Sequence, residues 1–351
     1  MRIEQLTFTR FIAAVSIVIY HYGANAFPFN HQSISYLFKA ADIGVSYFFI
    51  LSGFVMVIAY GHKQKIDAAG YFKNRFGRVY PVYAVALGLV TGYYLLKGWD
   101  VDVKAFGLNV FVVQAWLPPY PLSLNYTGWS LAVELFFYAL FPFLFNRFYT
   151  KAKLKFVAVV IFVFWFVSQL VFLLLLHSGF YKGFPSQSND FLFHFPVLHL
   201  NQFLAGNLAG LFFRQMSFKS KNYDLWMGAL VLVLIALLRV PNPRIYHNGL
   251  LAAVFIAIIF LLCLNTGKLT TLFRGKPLIF LGEISYGIYI LQYPAFLLAQ
   301  ELIKFLNINH AGIAFYVFLL FLLILAGLSL LLLETPLRNK IKGSRTVAKA
   351  A

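Results

Sequence analysis

Residues 156–176 read FVAVVIFVFWFVSQLVFLLLL, an unbroken run from Phe156 to Leu176 with no ionisable side chain. An α-helix rises about 1.5 Å per residue, so about 20 residues of this kind cross the roughly 30 Å of hydrocarbon in a bilayer. Gly249–Leu264 and Ala311–Leu333 repeat the pattern. Across the 351 residues, 61% are hydrophobic, 19% aromatic and 11% charged. Soluble domains hold about 45–50% apolar and ~25% charged residues, and no soluble core buries this much apolar surface. Lipid is therefore the solvent for much of the chain. The expected fold is all-α, a polytopic membrane helix bundle.

Ten spans are expected, over 8–25, 43–61, 79–97, 128–147, 155–177, 193–213, 223–239, 247–265, 278–301 and 311–333. A weaker apolar segment, 103–117, is short and ends at Leu117-Pro118-Pro119-Tyr120-Pro121, a helix stop. Loop charge settles its place. Lys63, Lys65, Lys73, Arg75 and Arg78 lie in 62–78, and Arg147, Lys151, Lys153 and Lys155 lie in 147–155. Both loops belong in the cytoplasm by the positive-inside rule, so two spans separate them and 103–117 stays outside. Both termini are then cytoplasmic: 21 of the 29 Lys and Arg residues face inward, 7 face outward, and Arg10 lies in the membrane. The chain divides into one membrane unit, 1–337, and a basic cytoplasmic tail, 338–351, suited to anionic lipid head groups. No internal repeat of the inverted-transporter kind is evident.

The net charge of +18 is assigned to these loops rather than to nucleic-acid binding. Cys263 is the single cysteine and sits in an apolar run, which rules out an intramolecular disulfide and argues against a Cys-based metal site. Arg10 breaks the first apolar stretch and no cleavage site follows, so the segment is expected as a retained helix rather than a signal peptide.

Ionisable residues at membrane depth carry the functional information, because an unpaired charge there costs several kcal/mol. Arg10 and His21 are eleven residues apart on the first span. That spacing puts them within about 20° of one helix face and roughly 16 Å apart along it. Glu134 enters about 9 Å from the outside end of its span, at a depth similar to His21. A carboxylate beside an imidazole fixes its tautomer and raises its basicity, which suits a general base or an acyl carrier. The alternative is a structural pair joining two helices. Arg75 and Arg78 share a helix face at i and i+3, a geometry for phosphate oxygens; they are equally a topology signal at a cytoplasmic helix end.

In order and spacing these residues resemble the acyltransferase-3 family of membrane acyltransferases, which O-acylate bacterial surface polysaccharides among other substrates. Arg10 and His21 match its R-x10-H. Gly44-Val45-Ser46-Tyr47-Phe48-Phe49-Ile50-Leu51-Ser52-Gly53-Phe54 matches its G-v-x-x-F-F-x-x-S-G-F. Arg75-Phe76-Gly77-Arg78 with Tyr80-Pro81 matches R-x-x-R-x-x-P, and Trp129-Ser130-Leu131 with Glu134 and Tyr138 matches W-S-L-x-x-E-x-x-x-Y. Ile284-Ser285-Tyr286-Gly287-Ile288-Tyr289 and Glu334-Thr335-Pro336 fit its C-terminal pattern. The resemblance spans nearly the whole chain. One position departs: Gln292 stands where the family commonly carries a histidine, and an amide hydrogen-bonds without titrating.

The resemblance implies an enzyme of the bacterial cell membrane that moves an acyl group, expected to be acetyl, from cytoplasmic acyl-CoA to a hydroxyl of a cell-surface or lipid-linked saccharide. His21 and Glu134 are expected as the catalytic residues, with Arg10, Arg75 and Arg78 binding the acyl-CoA co-substrate. Asp42, Ser52, Trp129, Ser130 and Tyr286 are further candidates. Asp42 is also a helix N-cap by position, and Ser52 a small residue for a helix contact; Phe48 and Phe49 are read as packing. The family's fused extracellular esterase-like domain is not seen, so the acyl group is delivered directly or handed to a separate extracytoplasmic transferase. No metal site is expected: His194 and His199 are five residues apart, a poor spacing for two ligands on one helix face. The rival from another class is a transporter or flippase of lipid-linked sugars or hydrophobic metabolites. Membrane-bound O-acyltransferases of the other class place their histidine late in the chain.

Overall fold

Gly23 ends the first helix, α1 (Gln5–Tyr22), and a short α2 (Gln32–Lys39) leads into α3 (Ile43–Tyr60). In this computed structural model, which describes residues 3–240 and 242–340, every regular element among the described residues is helical. Asp67 starts α4 (Ala68–Leu96) by accepting from the Gly70 N–H at 2.9 Å. Asp102 caps the short α5 (Val103–Val110) in the same way. After α6 (Gly128–Leu144) and a π-helical turn comes α7 (Leu154–His177). Then follow α8 (Gln187–His194), α9 (Leu200–Gln215), α10 (Asp224–Leu237) and α11 (Ala252–Leu264). The chain continues through α12 (Lys268–Phe273), α13 (Lys276–Glu283), α14 (Ser285–Phe305) and α15 (Ala311–Ser329).

Five helical stretches are long and apolar enough to cross a membrane: Ile43–Tyr60, Ala68–Leu96, Gly128–Tyr149, Leu154–His177 and Ala311–Lys340. α10 and α11 are apolar but shorter. Their outer faces are what lipid requires. On α7, Phe156, Val159, Phe162, Val163, Phe166, Val167, Leu170 and Leu174 are exposed at helical spacing, a stripe no water-soluble surface carries. The protein is a multi-pass membrane protein.

Each expected span contains a helix, with corrections to its limits. The third begins at Ala68, eleven residues before 79, because Asp67 caps it there; Arg75 and Arg78 are therefore helical, not in a loop. The sixth begins at Leu200, because Phe195-Pro196 stops α8 first and leaves His194 and His199 ahead of it. The ninth is broken at Ile284 into α13 and α14. Segment 103–117 holds only α5 and a single 3-10 turn. The basic tail lies outside the described residues from 341 onward.

α3 is the centre of the bundle and crosses α9 closely. A side chain on Gly53 would collide with the Phe203 carbonyl oxygen, and one on Gly206 with that of Ile50. Small residues at such a crossing let two backbones meet, the main source of helix attraction where lipid is as apolar as leucine. The close contact belongs to Gly53, which leaves its neighbour Ser52 free to face the interior.

Candidate active site

Two cavities lie back to back along α1. The first, about 110 Å³, is lined by Arg10, Ser52, Arg75, Arg78, Glu134 and Tyr138. It adjoins a wider vestibule of about 370 Å³, with which it shares Arg10 and Arg78 and which also carries Glu334 and Arg338. Helical continuity through residues 68–96 keeps Arg75 and Arg78 on one face of α4. Arg75 is held among the rings of Tyr60, Tyr71 and Tyr138, with ring centres 5.5, 5.7 and 5.6 Å away. Its Nη2 donates to the Tyr60 hydroxyl at 3.3 Å. Glu134 accepts from the Ser52 hydroxyl at 3.3 Å and from the Tyr138 hydroxyl one turn along α6. Arg10 and Arg78 are both in electrostatic range of this carboxylate or its tyrosine partner.

The second cavity, about 330 Å³, holds His21 together with Tyr20, Asp42, Tyr126, Trp129 and His247. The Nδ1 of His21 is 2.7 Å from the Oε1 of Gln292. Gln292 is fully buried and its Nε2 donates to the Tyr289 carbonyl at 2.7 Å, which assigns Oε1 as the acceptor for His21. The proton of a neutral imidazole therefore sits on Nδ1, and Nε2 keeps its lone pair. Val45 and Tyr289 line both cavities and form the wall between them.

This geometry corrects the expected His21–Glu134 pair. The two side chains have different partners and open into different cavities: Glu134 belongs with the arginines, and His21 with Gln292. The reason is that helical depth alone does not set rotation; α6 turns Glu134 towards Ser52 of α3 and Arg10 of α1 rather than towards His21. The carboxylate in the His21 cavity is Asp42. Although Asp42 stands at the N-cap of α3, its side chain makes no capping hydrogen bond; its Oδ2 lies 3.3 Å from His247 Nδ1. Ser130 lines the arginine cavity and donates to the Thr127 carbonyl at 3.1 Å. The Tyr286 hydroxyl donates to the Val79 carbonyl at 2.6 Å, bracing α14 against α4 just beyond Arg78. Trp129 faces the other way, its ring 4.9, 5.3 and 5.8 Å from those of His194, His199 and His247.

That histidine group is what sequence reasoning missed. Spacing along one helix was the wrong measure, because the three rings come from α8, the turn after it and the loop before α11. His199 Nε2 and His247 Nε2 both donate to the Phe193 carbonyl, at 3.0 and 2.9 Å. Among the described residues, no three His, Cys, Asp or Glu side chains gather as a metal site. Gln292 was visible only as a departure from a pattern; nothing along the chain pairs it with His21, 271 positions away.

Comparison with known proteins identifies the family. A family described as an acyltransferase domain matches residues 3–332. The acyltransferase MdmB of Streptomyces mycarofaciens is 30% identical over 157 residues, covering 40% of this chain and 39% of MdmB. A putative acetyltransferase, ORF330, of Acidianus two-tailed virus is 26% identical over 88% of this chain and 85% of its own length. The O-acetyltransferase OatA of Staphylococcus aureus is 24% identical over 94% of this chain and 56% of OatA. The chain thus spans well under two thirds of MdmB and of OatA. No solved structure matches it. With the family match running from the start of α1 into the turn after α15, the chain belongs to the acyltransferase-3 family of membrane acyltransferases.

Proposed function

We propose that this protein is an acyl-CoA-dependent O-acyltransferase of the bacterial cell membrane, with ten spans and both termini in the cytoplasm, that acetylates a hydroxyl of a saccharide. The observation that carries the reading is the pair of cavities separated only by Val45 and Tyr289. One is lined by Arg10, Arg75 and Arg78; the other holds an imidazole bonded at Nδ1 to Gln292. Arg10 lies in the first and His21 in the second, on one helix and roughly 16 Å apart, a distance a pantetheine arm covers in large part.

The sizes divide the donor. The inner basic cavity holds about 110 Å³ against about 370 Å³ for the vestibule, so the thioester end of the donor is assigned to the inner cavity and the bulkier nucleotide to the vestibule. The nucleotide phosphates remain at the vestibule, where Arg78 and Arg10 reach them and Arg338 adds a third cation. Glu134 keeps the arginine-lined passage in shape by fixing Ser52 and Tyr138.

At the wall, His21 Nε2 removes the proton from the acceptor hydroxyl as its oxygen attacks the thioester carbonyl. The carbon–sulfur bond breaks and the proton passes from Nε2 to the CoA thiolate. The same lone pair serves if Nε2 takes the acyl group first and then yields it to the hydroxyl. In either order Gln292 holds the ring so that Nε2, not Nδ1, faces the reacting atoms. The test is acyl transfer from acetyl-CoA in membranes carrying His21→Ala. Release of free CoA should fall to background; full activity would overturn the mechanism.

A further inference from the structure

We propose that the His21 cavity is the acceptor-binding site, in which Asp42 binds a sugar hydroxyl and His247 positions Asp42 for it. The assignment rests on the acyltransferase reading above and names the residues that hold its second substrate.

Asp42 gives the first reason. An aspartate at a helix N-cap ordinarily accepts from the free N–H groups of the first turn and so stabilises the helix. Here that interaction is absent. The carboxylate is turned instead into the cavity, where its side chain keeps 24% of its surface exposed. It lies in electrostatic range of His21. A carboxylate beside a base, in a cavity, is placed to accept from a neutral hydroxyl through a charge-assisted hydrogen bond.

His247 gives the second. Its side chain is 8% exposed and its ring is fixed at both nitrogens, Nε2 on the Phe193 carbonyl at 2.9 Å and Nδ1 facing Asp42 at 3.3 Å. The carbonyl and the carboxylate are both acceptors. The main-chain carbonyl of His247 is itself held by the Ser46 hydroxyl at 2.7 Å and by Gln202 Nε2 at 3.2 Å. Three helices thus hold His247, α8 through the Phe193 carbonyl on its ring and α3 and α9 through its main-chain carbonyl, and its other ring nitrogen faces Asp42. Such a network fixes the ring that faces the carboxylate.

The cavity around them has the chemistry of a saccharide site. Tyr20, Tyr126 and Trp129 line it with aromatic surface suited to the C–H face of a pyranose, and Asn189 and Arg244 line it with donors. Its volume of about 330 Å³ lies within the range of small-molecule sites, about 300–1,000 Å³. A mixture of aromatic rings with a few fixed polar groups orients a polyol; an apolar metabolite would cover the exposed part of the Asp42 carboxylate and leave its remaining lone pairs unfilled, at a cost.

The experiment uses the full-length protein in membranes, acetyl-CoA as donor and base-deacylated surface glycan of the host strain as acceptor. Asp42→Asn should raise the glycan KM by about tenfold or more, the effect of losing one charge-assisted hydrogen bond, with the acetyl-CoA KM unchanged. His247→Gln keeps one donor and should raise the glycan KM less. Carbodiimide footprinting of the wild-type protein needs no variant: glycan should protect Asp42 from labelling and acetyl-CoA should not. An unchanged glycan KM, an equal rise in both KM values, or no protection by glycan would overturn the assignment while leaving acyl transfer intact. Wild-type membranes that transfer no acyl group from acetyl-CoA would overturn the acyltransferase reading itself, and this site with it.

Discussion

Replacing Gln292 with leucine tests whether one amide governs the reactive imidazole. The amide is fully buried, and its two hydrogen bonds, to His21 Nδ1 and to the Tyr289 carbonyl, are each 2.7 Å long. Leucine fills nearly the same volume but accepts nothing, so the Nδ1 proton loses its acceptor. A buried donor left without a partner costs about 1–3 kcal/mol. Because that cost is removed when the ring turns or exchanges its tautomer, it falls on the reactive orientation, and each ~1.4 kcal/mol is tenfold in rate. The expected loss in kcat is therefore roughly 5- to 150-fold. Gln292→Glu keeps an oxygen acceptor at the same place and should retain more activity than the leucine variant. The assay is initial-rate CoA release from acetyl-CoA in membranes, normalised to protein amount, with the acetyl-CoA KM as the check that the basic cavity is intact. A leucine variant within twofold of wild type, at equal protein, would refute the orienting role.

Other substitutions separate the parts. Arg78→Ala, at the junction of the basic cavity and its vestibule, should raise the acetyl-CoA KM by about tenfold or more, with Arg78→Lys intermediate because lysine keeps the charge but not the fork; initial rates against donor concentration decide it. Val45→Trp thickens the wall between the cavities and should abolish transfer while labelled acetyl-CoA still binds; transfer at the wild-type rate would mean the thioester takes another route. Gly53→Ala should cost about 1–3 kcal/mol by forcing α3 away from the Phe203 carbonyl of α9, read as a lower unfolding temperature in detergent; an unchanged temperature would contradict the tight crossing.

The residues of the site were largely legible, and their pairing was not. Arg10, Arg75, Arg78, Ser52 and Glu134 stood out because each is polar at or beside membrane depth, and they do share one cavity. Ser52 was read either as a functional residue or as a small contact residue; the structure gives the contact to Gly53 and the hydrogen bond to Ser52. His21 was found by the same logic, yet its neighbour was misassigned. Depth follows from counting residues at 1.5 Å each, but rotation and crossing angle follow from how α1, α3 and α6 pack. His199 and His247 were passed over for a related reason: polar groups in loops look ordinary until α8, α9 and the loop before α11 fold around one carbonyl.

The sequence by itself determined that the chain lives in lipid, that it is helical, roughly where its helices lie and which family it resembles. These follow from local quantities, namely composition, run length and short-range spacing, that hydrocarbon enforces regardless of fold. Only the tertiary structure decided that Gln292 rather than Glu134 holds His21, that Asp42 turns from its own helix to His247, and that Val45 and Tyr289 divide one interior into two cavities. Each depends on side chains far apart in the sequence being brought together by close backbone packing, to 2.7 Å for His21 with Gln292 and 3.3 Å for Asp42 with His247, and no local pattern encodes which faces meet.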